Sequence, residues 1–479
     1  MYEKFGQFIN GKWQQSAGKE TYEVINPATE EVIGKASKAN QEDINKCLQS
    51  AELGLKVWKN TSPWERSKII RKISDLMRER NNTLSKWLTL EVGKPLKEAS
   101  GEASGAADIF EWSAEEAKRI YGETLQGRSQ NTKIHVYYQP VGVVAALVPW
   151  NFPITLASRK ISTALSAGCS VIVKPDVITP GAVMELVNIC KDAGVPPGVV
   201  NLLSGDPSFI SDQLLSSSII KKVSITGSTR VGKLILKKAA EKVQRVTMEL
   251  SGHSPFIVFD DVDLDKVTDI AIFSKFRNNG QVCISPSRFY IHESKKNDFT
   301  KLMVKKTKNL KIGNGMDKDT ILGPLTTKKR LEEIENLVET TIKEGANVLC
   351  GGKKPADFNK GYFFEPTIFD NIKDSYTIMN QEPFGPLVPI LSFKDFDEVI
   401  NRANNNDLGL ASYIYTNNLK RAHKASELME TGTVAVNTGV VALPEAPFGG
   451  IKQTGYGREG GSMAIKDYLN IKYTHLGLH

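Results

Sequence analysis

Cysteine is scarce in this chain. There are five in 479 residues, Cys47, Cys169, Cys190, Cys283 and Cys350, far apart, odd in number and in no metal-ligand spacing. That excludes a disulfide framework and suits a reducing, cytoplasmic setting. The six histidines are equally scattered, so no metal site is expected. Long apolar runs are missing too. The most apolar stretch, Val141 to Trp150, falls well short of the ~18–20 residues a helix needs to cross a bilayer. The opening Met1–Phe5 lacks a basic region followed by an apolar one, and no secretory signal is expected. No dense Lys/Arg block exists, and 62 basic against 54 acidic side chains leave only +8. Nucleic-acid and membrane partners are therefore not expected, although a mildly basic surface attracts anionic substrates. Internal repeats and low-complexity tracts are absent as well.

What is present is an ordinary globular composition: 40% apolar, 24% charged and 8% aromatic, enough for two or three domains with substantial cores. From Val141 onward, short β-branched runs alternate with longer amphipathic ones. Strands are expected at Val141–Leu147, Ser170–Val173, Val199–Leu203 and Lys222–Thr226. Between and after them, helices are expected at Pro153–Ala167, Pro180–Gly194 and Val231–Val243, two of them opened by proline and closed by glycine. Such alternation implies a parallel sheet covered on both faces, binding its ligand beyond the carboxyl ends of the strands. A second α/β set follows, with helices at Asp263–Asn278, Asn297–Leu310, Thr327–Glu344 and Asn418–Met429, and strands at Phe289–His292 and Thr433–Asn437. Nearer the start, helices are expected over Gln41–Lys59 and, capped by Ser62 before Pro63, to about Leu90. The polar, β-rich Asn131–Gln139 and the terminal Asn470–His475 suggest an exposed ribbon.

Two glycine strings invite nucleotide readings. Gly455-Tyr456-Gly457-Arg458-Glu459-Gly460 matches a dinucleotide fingerprint, but no β-rich run precedes it and the expected downstream acid would fall at or past the chain end; a packed turn is the better reading. Gly227-Ser228-Thr229-Arg230-Val231-Gly232-Lys233 matches a phosphate-binding loop between strand and helix. Leu234, however, stands where a hydroxyl must ligate magnesium, which argues against a P-loop phosphotransferase. A helix N-terminus after a tight glycine turn still suits a pyrophosphate-bearing cofactor. Among the cysteines, Cys169 and Cys190 read as small core hydrophobes. Cys283 follows Asn278-Asn279-Gly280-Gln281-Val282 just past a helix, a loop setting with local donors that suits a thiolate nucleophile as well as a structural thiol.

Pro149-Trp150-Asn151-Phe152-Pro153, Lys174-Pro175, the 227–232 loop, Met248-Glu249-Leu250-Ser251-Gly252, Asn279–Cys283, Glu382-Pro383-Phe384-Gly385-Pro386 and Pro447-Phe448-Gly449-Gly450 occur in one order. With Asn26-Pro27-Ala28-Thr29 near the start, the sequence resembles the aldehyde dehydrogenase superfamily. The resemblance implies that Cys283 attacks the aldehyde and that the adduct passes hydride to NAD(P), leaving a thioester. The Asn151 amide and the Cys283 N–H would hold the alkoxide, each such donor being worth ~3–4 kcal/mol. Glu249 would activate the hydrolytic water, giving a free acid. Relatives that pass the acyl group to coenzyme A generally lack that carboxylate. Lys174 and Glu382 would hold the cofactor riboses, with Trp150, Gly227, Ser228, Gly232 and Phe384 lining the cleft. Val177 replaces the glutamate that many NAD-using relatives carry three positions after the lysine, so the expectation is NAD(P) without a preference.

Arg159 and Arg277 resemble carboxylate-binding positions of succinate-semialdehyde dehydrogenases, the planar guanidinium suiting a carboxylate. Gln281–Pro286 and Leu443–Phe448 also resemble 2-oxoglutarate-semialdehyde dehydrogenases, and Ala442 stands where the first group often has serine. Position 285 is serine, so no second redox cysteine follows Cys283. The implied fold is α/β. A doubly wound parallel-sheet cofactor domain (1–120 and 140–250) joins a second α/β catalytic domain (251–461) and a small β-ribbon oligomerisation arm (121–139 and 462–479). The resemblance further implies a homo-oligomer, dimer or tetramer. A catalytically silent binding protein of this fold is the remaining rival, and the presence of Cys283, Glu249 and Asn151 argues against it.

Overall fold

The computed structural model describes residues 2–477; Met1 at one end, and Leu478 and His479 of the expected arm, lie outside the described residues. The first sheet has seven strands. In spatial order they are Arg245–Glu249, Ile220–Thr226, Val143–Leu147, Ser170–Lys174, Val200–Leu202, Gln7–Ile9 and Lys12–Gln14. The first five pair in parallel, and Gln7–Ile9 adds on antiparallel. The chain enters at the middle strand, Val143–Leu147, winds outward through Ser170–Lys174 and Val200–Leu202, then returns to fill the other side. The strand order therefore reverses beside Val143–Leu147, and the crevice at such a reversal is where doubly wound sheets bind ligands. Val143–Leu147 and Ser170–Lys174 are buried at every position. This is why they read as unbroken apolar runs rather than alternating ones.

The second sheet runs Asn347–Cys350, Thr367–Asp370, Leu387–Phe393, Pro286–His292, Ser254–Val258, Ala411–Tyr415 and Thr433–Val436, parallel except for its first strand. Apolar clusters cover both of its faces, among them Phe256, Phe289 and Tyr413 on one side and Leu337, Phe369 and Leu391 on the other. A separate three-stranded ribbon pairs Leu469–Gly477 with Thr132–Pro140, and that with Glu123–Gln126. Its Ile471 and Tyr473 are each 70% exposed.

Local chemistry explains where the helices start and stop. Gln41–Trp58 opens on a capping box between Asn40 and Asp43, and Pro63–Glu79 on Ser62 followed by proline. Pro153–Ala167 closes on Gly168 in the left-handed region (φ 86°). Three expectations need correction. The helical stretch from Ser62 to Leu90 is two helices, Pro63–Glu79 and Asn81–Val92, because Arg80 (ψ 17°) leaves helical geometry. The helix expected to reach Asn278 ends at Phe276, since Asn278 and Asn279 turn left-handed. The helix expected from Val231 begins at Thr229, with Ser228 as its cap, and stops at Ala240. The Gly455–Gly460 string is a turn, with Gly455, Gly457 and Gly460 all at positive φ, running alongside Arg245–Glu249.

Among the described residues no helix is long and apolar enough to cross a membrane. Nor do three His, Cys, Asp or Glu side chains among them group as a metal site would.

Candidate active site

Parallel register brings separate motifs to one edge. Leu147 pairs with Lys174 and Thr226 with Glu249, so Trp150 and Asn151, Lys174, the Gly227–Ser228 turn and Glu249 all emerge at the carboxyl end of the first sheet. At the turn, the Gly227 N–H donates to the Glu249 carbonyl. A Cβ on Gly227 would touch nothing within 4 Å, so the space over this helix N-terminus is open. Gly232 is required for a different reason: a Cβ there would meet the Leu250 side chain at 2.5 Å. Leu234, the residue that undermines magnesium binding, points outward and is half exposed.

The second sheet delivers the cysteine. After Phe276 the chain makes an abrupt reversal through Asn278 (φ 47°), Asn279 (φ 54°) and Gly280 (φ 73°). Left-handed backbone costs a non-glycine residue of order 1–3 kcal/mol and persists only where surroundings enforce it. Here amides do so. Asn278 Nδ2 donates to the Asn151 carbonyl at 3.1 Å, Asn279 Nδ2 to the Gly323 carbonyl at 2.9 Å, and Gln281 Nε2 to the Asn278 carbonyl at 3.0 Å. Gly280 admits no side chain, because a Cβ would lie 2.2 Å from the Gly385 carbonyl oxygen. The reversal leaves Cys283 half-buried, while buried Asn151 donates from Nδ2 to the Gln281 carbonyl at 3.1 Å. Asn151 and the cysteine loop are thus tied together across the junction of the two sheets.

Electrostatics corrects one expectation. Burial, then the nearby Glu382 and Glu249 carboxylates, push the Cys283 thiol up to about 12, against the pull of Arg277 and the Ile284 N–H, so the surroundings favour the thiol where the loop setting suggested a thiolate. Glu249 is raised well above the usual carboxylate range by burial and by Glu459. Neither of its carboxylate oxygens has a hydrogen-bond partner, and Gly449 packs so closely that a Cβ there would meet Oε1 at 2.6 Å. With a raised thiol pKa, the thiolate fraction of the free enzyme grows with pH throughout the neutral range. Alkylation of Cys283 by iodoacetamide, followed by peptide mass spectrometry, should accelerate about tenfold per pH unit from pH 7 to 9. A rate that is flat over this range would contradict the raised thiol.

The remaining expected residues surround this pair. Trp150 meets Phe384 edge-on, ring centroids 5.6 Å apart, and Phe384 itself sits at φ 48° just before the strand Leu387–Phe393. Half-buried Glu382 accepts from the Gly252 N–H at 3.1 Å and is raised to about 7, chiefly by burial. Burial depresses the Lys174 amine, against the opposing charges of Asp176 and Asp206. Arg159 is fully buried against Phe448 (5.1 Å to the ring), close enough to feel Glu249 and Cys283. Arg277 lies against Phe152 at 5.2 Å, and its charge is felt at the thiol. An open glycine turn at a helix N-terminus and a buried amine along the carboxyl edge of the first sheet, with the half-buried Glu382 carboxyl bonded to Gly252, fit a dinucleotide.

Sequence reasoning missed several residues here. Glu459, inside the decoy glycine string, is buried beside Glu249. It pairs with buried Lys160 and accepts from Ser224 Oγ at 3.3 Å. Lys160 also donates to Thr226 Oγ1 at 2.8 Å. Lys94, in the link before Pro95, and Glu98 and Glu102, on the helix that follows, were likewise not singled out, although the two carboxylates one turn apart on an alanine-rich stretch were a visible signal.

Residues 13–474 match the aldehyde dehydrogenase family model. The chain is 41% identical over 97% of its length to glutarate-semialdehyde dehydrogenase of Pseudomonas putida, covering 96% of that protein. It is 40% identical over 98% of its length to a succinate-semialdehyde dehydrogenase [NADP(+)] of Escherichia coli, covering 97% of it. A crystal structure of succinate-semialdehyde dehydrogenase from Burkholderia pseudomallei superposes with a TM-score of 0.97 at 39% identity, covering 99% of this chain and 98% of that one. A betaine aldehyde dehydrogenase variant from Staphylococcus aureus, solved in complex with NAD+, gives 0.97 at 34% identity over 99% of this chain and 96% of that one. The chain is accordingly an NAD(P)-dependent oxidoreductase and belongs to the aldehyde dehydrogenase family.

Proposed function

We propose that the chain oxidises a semialdehyde carrying a distal carboxylate to the corresponding dicarboxylic acid, with succinate semialdehyde as the first candidate. The observation that carries this reading is the pair of guanidiniums, Arg159 and Arg277, whose charges both reach Cys283 while each leans on an aromatic ring. On this reading a short aldehyde seated on the sulfur would direct its far carboxylate toward these cations, Arg277 and the buried Arg159 that also donates to the Glu459 carbonyl. Relatives named for succinate and glutarate semialdehydes share that far carboxylate. The alternatives are 2-oxoglutarate semialdehyde or another aliphatic aldehyde, such as glutarate semialdehyde.

Cys283 gives up its thiol proton to solvent, the sulfur adds to the aldehyde carbon, and the carbonyl π pair moves onto oxygen as an alkoxide. The free N–H of the Asn151 amide and the Cys283 backbone N–H donate to that oxygen as its charge develops. Lys174, Glu382, Trp150, Phe384 and the Gly227, Ser228 and Gly232 turn would hold NAD(P), which when bound would accept the hydride and so leave the carbon as a thioester. Glu249 then takes a proton from water while the water oxygen adds to the thioester carbon. The carbon–sulfur bond breaks, sulfur leaves with the electron pair, and the free acid departs. A carboxyl raised toward neutral pH suits this work, since it can both accept and release a proton there.

The first sheet with its added N-terminal strands serves the cofactor, the second sheet carries the nucleophile, and the exposed ribbon pairs between subunits of a homo-oligomer. Ile471 and Tyr473, each 70% exposed, support that last assignment. The scattered free cysteines support a cytoplasmic enzyme.

A panel of carboxylated and neutral aldehydes, each run with NAD and with NADP, tests the substrate. Arg277→Ala should raise KM for succinate semialdehyde about a hundredfold and for a neutral aldehyde of equal length less than about threefold, as loss of a charge-assisted pair implies. Equal effects on both would mean that no carboxylate is read at Arg277.

A further inference from the structure

An ionic cluster lies behind the oxyanion donors, and it touches neither the sulfur nor the Glu249 carboxylate. Lys94, 1% exposed, donates from Nζ to the backbone carbonyl of Asn151 at 2.9 Å and to Glu102 at 2.5 Å, with its ammonium 3.7 Å from the Phe152 ring centre. The other Glu102 oxygen accepts from the N–H groups of Ile154 (3.1 Å) and Thr155 (3.3 Å), in the first turn of Pro153–Ala167. Glu98, one turn before Glu102 on the helix Leu96–Glu116, accepts from the backbone N–H of Asn278 at 2.8 Å. Asn278 is the first left-handed residue of the cysteine loop, and its side chain donates to the same Asn151 carbonyl.

Stability is a poor reason for such a cluster. Buried ion pairs are often no better than apolar residues of like volume, whereas fixed geometry is what they supply. Every contact here fixes one of two things. Lys94, Glu102 and the Asn278 side chain fix the peptide that carries Asn151. Glu98 fixes the turn that delivers Cys283. These are the two segments whose N–H groups must converge on one oxygen, and displacement of a catalytic group by about 1 Å can cost about a hundredfold in rate.

We propose that Lys94 and Glu98 are positioning residues for the reaction. Lys94 sets the Asn151 peptide and Glu98 sets the Asn278 turn, so that the Asn151 amide and the Cys283 N–H meet at the alkoxide. The proposal rests on the functional reading above and adds to it two residues that touch neither aldehyde nor sulfur.

The discriminating pair is Glu98→Gln against Glu98→Asp. Gln keeps an acceptor oxygen at the same reach but loses the charge; Asp keeps the charge but withdraws the acceptor by one methylene. Single-turnover hydride transfer with a neutral aldehyde should fall about tenfold or more in E98D and stay within about threefold of wild type in E98Q. KM for that aldehyde and the rate of Cys283 alkylation in the resting enzyme should stay within about threefold in both, because neither reads the alkoxide site. The opposite order, E98Q slow and E98D fast, would overturn the proposal in favour of a purely electrostatic role. Two fast variants, or alkylation falling in step with hydride transfer, would also overturn it. Should E98D fail to accumulate as folded protein, Lys94→Met takes its place, with the same loss of hydride transfer at unchanged alkylation expected and a wild-type rate contradicting the proposal. If wild type oxidises no aldehyde, the functional reading itself falls; if it does and these orders fail, only the positioning role falls.

Discussion

Cys283→Ala should abolish NAD(P)H formation from aldehydes, with steady-state turnover falling by about 10⁴-fold or more, the scale on which removing a covalent nucleophile acts. No other thiol can take over. Cys47, Cys169 and Cys190 are wholly buried and shifted upward by that burial, and Cys350 sits in the edge strand Asn347–Cys350, at the far side of the second sheet from Ser254–Val258. The substitution leaves the loop intact. The amide bonds of Asn278, Asn279 and Gln281, and the contact of Gly280 with the Gly385 carbonyl, make no use of the sulfur. Unchanged dinucleotide binding, read by quenching of tryptophan fluorescence, should therefore accompany the lost activity. Retained turnover in Cys283→Ala would mean that the hydride leaves a carbon never bonded to this chain.

Glu249→Gln should behave differently. The first turnover, up to the thioester, needs no base for water, so one equivalent of NAD(P)H per site should appear in a burst. Steady-state turnover should then fall by about 10²–10⁴-fold, the usual contribution of a positioned general base. Gln is isosteric, which matters because Gly449 packs directly on Oε1, and a larger side chain would disturb the pocket rather than its chemistry. Lys160 and Ser224 engage only Oε1 of the neighbouring Glu459 and leave its Oε2 without a partner, so turnover that survives in Glu249→Gln measures what Glu459 can supply. Quench-flow measurement of the burst amplitude checks this outcome; full steady turnover without a burst would remove Glu249 from the hydrolytic step.

The parts that were legible in the sequence are those whose physics is local. Strands buried on both faces, Val143–Leu147 and Ser170–Lys174, announce themselves as short apolar runs bounded by glycine and proline, and the helices between them by Pro153, Gly168 and Pro180. The terminal ribbon was legible for the same reason, as β-rich polar runs that no core could absorb. Helix ends were harder. Nothing local marks Arg80 as a break, and Asn278 and Asn279 leave the helix only because distant carbonyls at Asn151 and Gly323 receive their amides. The proposed catalytic trio is legible only through resemblance, since spacing along the chain does not bring Asn151, Glu249 and Cys283 together. What stayed hidden was the second layer. Glu459 lies inside a glycine string that reads as a turn, Lys94 in the short link before Pro95, and Glu98 and Glu102 on a helical stretch that composition alone would leave on the surface. Each acquires its role only through parallel register and interlocking loops, which bring together residues hundreds of positions apart.

The central claim is a covalent bond between Cys283 sulfur and the substrate carbon, and the Glu249→Gln protein is the means to see it. Mixed with NAD(P) and succinate semialdehyde, quenched in acid after the burst and digested, it should yield one peptide, the one containing Cys283, heavier by the mass of the acyl group and restored by hydroxylamine. An unmodified Cys283 peptide at full burst amplitude, or the acyl mass on any other residue, would contradict the account.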